Sequence, residues 1–155
     1  MRVNRTQSLL IFTLLVAGAC KTESKSADSA ATASAATPQA TASTPGPQTP
    51  DPGGKVITVA LTTDEKGSYF EPKDFEAHQG DVIRFTLKAG VHNVHFVADS
   101  NAGKSGYPTA PSDMLQLPEQ TYDVKVSFSP GTYFFQCDPH AALGMVGHVK
   151  VEKKD

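Results

Sequence analysis

From Lys55 onward, apolar and polar residues alternate in short runs separated by Gly, Pro and Asp. VITVAL (56–61), DVIRFTL (81–87), HNVHFV (92–97), YDVKVSF (122–128), TYFFQ (132–136) and VGHVKVE (146–152) each read as a strand, because side chains on an extended chain point alternately to two faces. Gly80-Asp81, Ala89-Gly90, the Pro118 region and Ser129-Pro130-Gly131 supply the turns. No segment sustains helical periodicity. Several short strands at this spacing predict an all-β Greek-key sandwich or barrel. Alternation also assigns faces: Tyr133, Phe135 and Cys137 share one, and Thr132, Phe134 and Gln136 the other. In HNVHFV, His92, Val94 and Phe96 form the apolar set, while Asn93, His95 and Val97 face away. If the two strands end at one pole, His92 and Cys137 converge there.

Residues 1–54 follow a different pattern. Arg2 and Arg5 precede an apolar run from Leu9 to Ala19 that is too short to span a bilayer, as in an export signal over residues 1–19. The run ends in Leu15-Val16-Ala17-Gly18-Ala19-Cys20, which resembles the bacterial lipobox, although Ala17 stands where that motif usually has Leu. The resemblance implies a diacylated Cys20 at the mature N-terminus, and two acyl chains hold a protein stably on a membrane surface. The expected location is therefore outside the cytoplasm, anchored to a bacterial membrane and facing the periplasm or the cell exterior. Residues 20–54 are rich in Ala, Ser, Thr and Pro with almost nothing large to bury, which reads as a disordered linker. The folded domain is expected over residues 55–155.

Composition narrows the possible partners and leaves one cysteine unexplained. The 155 residues carry 14 Lys+Arg against 16 Asp+Glu, for a net charge of -2, and no block of like charges occurs. A nucleic-acid partner is excluded on that balance. The chain has two cysteines. With Cys20 assigned to the lipid or removed with the signal, Cys137 has no disulfide partner in an oxidising compartment. Such a thiol is either buried and inert or held as a thiolate by a metal.

The sequence around it decides between these. FFQCDPHAALGM (134–145) sets Cys137, His140 and Met145 at the spacing Cys-x2-His-x4-Met. Taken singly, Cys137 reads as a small buried hydrophobe and Met145 as core filler. Together with His140, and with His92 supplied by strand parity, they offer two imidazoles, a thiolate and a thioether. That set suits copper: sulfur donors favour Cu(I), imidazole accepts both oxidation states, and a weak axial Met tunes the potential. Structural zinc takes four Cys/His donors and has no use for methionine. His78 and His148 fall on exposed positions, and His95 points outward.

GTYFFQCDPHAALGMVGHVKV (131–151) resembles the C-terminal strand, ligand loop and strand of the cupredoxins of the plastocyanin and pseudoazurin type. Gly90-Val91 followed by HNVHF (92–96) resembles the segment that carries their first histidine, and FEPKDFEAHQGDVIRF (70–85) the strand pair before it. The resemblance implies one type 1 copper ion held by His92, Cys137, His140 and Met145. It implies that Asn93 braces the loop near the cysteine and that His140 is the electron port. Ala141, Ala142 and Leu143 would form a small apolar collar for brief docking of redox partners. Pro139 lacks an amide hydrogen and cannot donate to the sulfur.

Two features depart from the plant-type pattern. Gln136 stands where those proteins have an aromatic residue before the cysteine, and the acidic residues are scattered instead of forming one patch. The expected function is a monomeric one-electron carrier, not an enzyme, since no His-x-His cluster offers a catalytic copper site. The alternative is a module for Cu(I) scavenging or delivery, with His95, His148 and Met114 as extra donors.

Overall fold

The computed structural model describes residues 46–154. The export signal, Cys20 and the linker as far as residue 45 lie outside the described residues. Among the described residues seven strands form: β1 (Val56–Asp64), β2 (Gly67–Glu71), β3 (Asp74–His78), β4 (Val82–Leu87), β5 (Thr121–Lys125), β6 (Gly131–Gln136) and β7 (Val146–Glu152). One sheet has the order β2-β1-β4-β5 and the other β3-β7-β6. In the first, β1 and β4 run parallel, with Val56 opposite Val82 and Leu61 opposite Leu87. In the second, β3 runs parallel to β7 while β6 and β7 are antiparallel. These are the two faces of the expected all-β sandwich.

The alternation predicted for β6 is realised: Tyr133 and Phe135 are buried, Thr132 is exposed, and Phe134 is half-buried against His148. Phe135 reaches across the sandwich to Phe85 on β4 and Phe70 on β2, with ring centroids 5.4 and 4.9 Å apart in edge-on geometry. Pairs of this kind add about 0.5–1.5 kcal/mol each beyond the area they bury. Phe96 packs on both Phe85 and Phe135, so the segment after His92 is fastened to the same core.

Four elements differ from the sequence reading. HNVHFV is not a strand: the main chain of His92 pairs with Leu115, and that of His95 pairs with Gln136 at the end of β6. The segment changes hydrogen-bonding partner within three residues, so no ladder propagates along it. β2 and β3, five residues each, are absent from the runs read by alternation, although the family resemblance gave a strand pair over 70–85. Part of the segment read as linker is bound to the domain. Gln48 donates its amide N–H to the Asp123 carboxylate (2.8 Å) and its side-chain NH2 to the Asp123 carbonyl (2.8 Å). Lys125 pairs with Asp51 at 2.6 Å.

Candidate metal centre

Cys137 is the first residue after β6, and the six residues that follow, Asp138–Leu143, form a 3-10 turn with Pro139 in its first turn. Proline suits that place because the amide it lacks would have no partner there. The turn closes at Gly144, whose φ of 91° lies in the left-handed region that glycine adopts without strain. Main-chain bonds then fold the loop back on itself: Cys137 N–H donates to the Met145 carbonyl, Met145 N–H to the His140 carbonyl, and His140 N–H to the Cys137 carbonyl, at 3.0–3.1 Å. Cys137 and Met145 are fully buried, His140 is half-buried, and Leu143 is 76% exposed.

His92 arrives from the other sheet, five residues beyond the end of β4, and is fully buried. Its Nδ1 lies 3.5 Å from Cys137 Sγ, and His140 Nδ1 lies 3.3 Å from the same sulfur. One donor atom from each of the three residues falls within 4.8 Å of the others. Among the described residues this is the one such cluster. A trigonal ion with metal–nitrogen bonds of ~2.0 Å and a metal–sulfur bond of ~2.3 Å would hold nitrogen and sulfur roughly 3.7 Å apart. The spacing therefore fits a metal ion with little movement.

The electrostatics suit the same use. Burial lowers the basicity of His92, and positive charge on His140 lowers it further, against the Ala89 carbonyl. The His92 ring is thus neutral and free to donate a lone pair. Its Nε2 lies 3.1 Å from the Ala89 carbonyl oxygen, which can only accept, so the proton sits on Nε2 and Nδ1 faces the cluster. Burial pushes the Cys137 thiol above its ordinary 9.0; the Asn93 and His140 amides oppose this, and the Asp138 charge adds to it. A thiolate at neutral pH consequently requires a cation at the site.

Asn93 is buried, and like His95, with which alternation grouped it, meets the Asp138 carboxylate. It accepts from the Asp138 N–H at 2.8 Å and donates to the Asp138 carboxylate at 2.9 Å. His95 Nδ1 and Gln136 Nε2 meet the other oxygen of that carboxylate at 2.9 and 2.8 Å. Asp138, the residue after Cys137, is therefore tied to Asn93, the residue after His92, and to the polar side chains of His95 and Gln136. Sequence reasoning passed over it because an Asp before Pro reads as an ordinary turn residue. His95 is engaged by Asp138 and stands outside the cluster. His148 pairs with Asp74 at 3.0 Å on the exposed face of β3 and β7, and His78 lies near Glu152 on the same face. Among the described residues, neither His95 nor His148 joins the cluster.

A two-sheet sandwich with a buried His-Cys-His cluster at one pole defines a metal-binding β-sandwich protein. The family model for copper binding proteins of the plastocyanin/azurin family matches residues 57–152, and the chain belongs to that family. Its metal is copper, one ion per chain. The plastocyanin of Vicia faba is 41% identical over 101 residues, covering 61% of this chain and 99% of that protein. The plastocyanin of Prochlorothrix hollandica is 35% identical over 97 residues, covering 62% of this chain and 72% of the relative. Among solved structures, a mutant fern plastocyanin matches with a TM-score of 0.50 at 30% identity, over 62% of this chain and all of that one. A Sinorhizobium pseudoazurin matches with the same TM-score at 28% identity, over 63% and 74% of the two chains.

Proposed function

We propose that the protein carries one electron at a time between redox partners outside the cytoplasm, with His92, Cys137, His140 and Met145 as the copper ligands. The observation that carries this reading is the convergence of two imidazole nitrogens on one buried thiol, 3.5 and 3.3 Å away. Copper supplies the one-electron Cu(II)/Cu(I) couple. The protein supplies a shape that suits both states: His92 held by its Nε2 contacts, Cys137 by main-chain bonds to the Met145 turn, and both segments by Asn93 and Asp138. A site that moves little on changing charge has a small reorganisation cost. Asn93 is read as the brace of the ligand loop, and Pro139 as a position that leaves the sulfur short of one donor. No substrate bond is made or broken, so the role is that of a carrier and not an enzyme.

His140 is the proposed electron port, since it is the half-exposed imidazole. Ala141, Ala142 and Leu143 around it are the proposed docking surface, small and apolar enough for brief encounters. Residues 1–19 are read as the signal peptide, Cys20 as the lipidated residue, 20–54 as the linker and 55–155 as the copper domain. This makes the carrier a monomer tethered to a bacterial membrane, on the periplasmic or outer side. A redox titration of the copper-loaded full chain tests the reading: it should follow a single one-electron curve, and Met145→Gln should lower the midpoint while copper stays bound. Loss of copper from Met145→Gln would contradict a weak axial Met.

A further inference from the structure

Thr63 is the second-last residue of β1 and lies in the hairpin that joins β1 to β2. Its residue is exposed, and nothing in its sequence context ties it to the cluster. In the fold its Oγ1 lies 3.0 Å from His92 Nε2, beside the Ala89 carbonyl oxygen at 3.1 Å. The Thr63 N–H also donates to that same Ala89 carbonyl at 3.0 Å. Thr63 thus reaches the imidazole by two routes, through its hydroxyl directly and through its amide by way of Ala89. Since the carbonyl oxygen can only accept, the Nε2 proton is shared between Ala89 O and Thr63 Oγ1. Thr63 Oγ1 also lies 2.8 Å from Ser68 Oγ, directly across the hairpin, where either hydroxyl can donate.

Gly90 keeps this space open. A Cβ built there would lie 2.7 Å from His92 Nε2 and 2.7 Å from Thr63 Oγ1, and its φ of 93° is one that other residues rarely adopt. The three residues Thr63, Ala89 and Gly90 thus form a clasp around the rear of the His92 ring. We infer that Thr63 is a positioning residue for the copper site, its hydroxyl accepting the His92 Nε2 proton and setting how strongly the opposite nitrogen donates to copper. Hydrogen bonds on the far nitrogen of a ligating imidazole fix its orientation and raise its basicity. A more basic imidazole favours Cu(II) over Cu(I), so the hydroxyl holds the reduction potential down.

The inference rests on His92 being a copper ligand. The test compares wild type with Thr63→Val and Thr63→Ser in the copper-loaded full chain. Because Thr63 is exposed and Val is a good strand former, Thr63→Val is expected to fold and to hold copper. Its preference for Cu(II) over Cu(I) should fall about tenfold, raising the midpoint potential, and Thr63→Ser should restore most of the loss. A second readout needs no metal. In the metal-free full chain, NMR of the imidazole nitrogens should show the His92 Nε2 proton exchanging faster in Thr63→Val than in wild type. An unmoved midpoint together with unchanged exchange would overturn the inference. His92→Ala separates it from the reading beneath: if that variant keeps the visible band of the copper protein, the ligand assignment itself is wrong. If the band is lost while Thr63→Val behaves as wild type, only the role of Thr63 falls.

Discussion

The segment Gly90–Phe96 and the turn Asp138–Leu143 each place one imidazole beside Cys137, but the fold holds them in opposite ways. His92 is fully buried, pairs with Leu115 through its main chain, and has its far nitrogen held by Ala89 and Thr63. Phe96, four residues on, is locked in the aromatic core. The turn has no buried residue of its own, and its ring at His140 faces Cys137 from the solvent side. One imidazole is fixed by the sandwich and the other by a short loop at its surface. On the proposed reading, the division separates holding the metal from giving access to it.

The strongest way to break that contrast is to delete each ring in turn. His92→Gly and His140→Gly should both lose the native copper site, but free imidazole in the buffer should restore the visible band in His140→Gly alone. The place vacated by His140 opens to solvent, whereas that of His92 lies under the hairpin. Equal rescue of both variants, read by absorption, would abolish the distinction.

Proton release is the next largest effect. Burial keeps His92 neutral and the Cys137 thiol protonated near pH 7, so binding copper must expel the thiol proton. The sign follows: apparent affinity should rise by about tenfold per pH unit towards the raised thiol pKa, and flatten above it. Competition titrations with a chelator at several pH values would check this. A flat profile would mean that the metal-free thiol is already ionised.

Asn93 joins the two regions, and removing it should cost less than removing a ligand. Asn93→Ala loses both bonds to Asp138 and leaves that amide without its partner, which predicts a loss of roughly 2–3 kcal/mol in denaturant unfolding of the metal-free protein. Hydrogen exchange sharpens the same point: taking copper away should speed exchange in residues 138–144 far more than in 92–96. The smallest stability effect belongs to Leu143→Ala. Its side chain is 76% exposed, so stability should stay within about 0.5 kcal/mol of wild type, while electron transfer to a redox partner should slow. A wild-type transfer rate would remove Leu143 from the docking surface.

Much of this arrangement is legible along the chain. Alternation in TYFFQC placed Tyr133, Phe135 and Cys137 inside, and the choice of His92 over His95 followed from the same rule. It succeeded for His92 even though the segment is not a strand, because Val94 and Phe96 still turn to the core on alternate residues. It also grouped Asn93 with His95, and both side chains meet the Asp138 carboxylate, but no local pattern records that Asn93 is buried there. Asp138 and Thr63 were illegible for a related reason. Each gains its meaning from a residue far away in sequence: packing of the two sheets brings Asp138 to Asn93, and pairing of β1 with β4 brings Thr63 to His92. The bound segment around Gln48 shows the same limit, since its attachment is written in Asp123 and Lys125 and not in its own Pro-rich composition.

A copper–thiolate bond at Cys137 is the centre of the proposed site, and the visible spectrum of the full chain titrated with Cu(II) measures it. The prediction is an intense charge-transfer band that appears with one equivalent, is bleached by a mild reductant and is absent in Cys137→Ser. Copper bound without that band, or a band that survives Cys137→Ser, would contradict it.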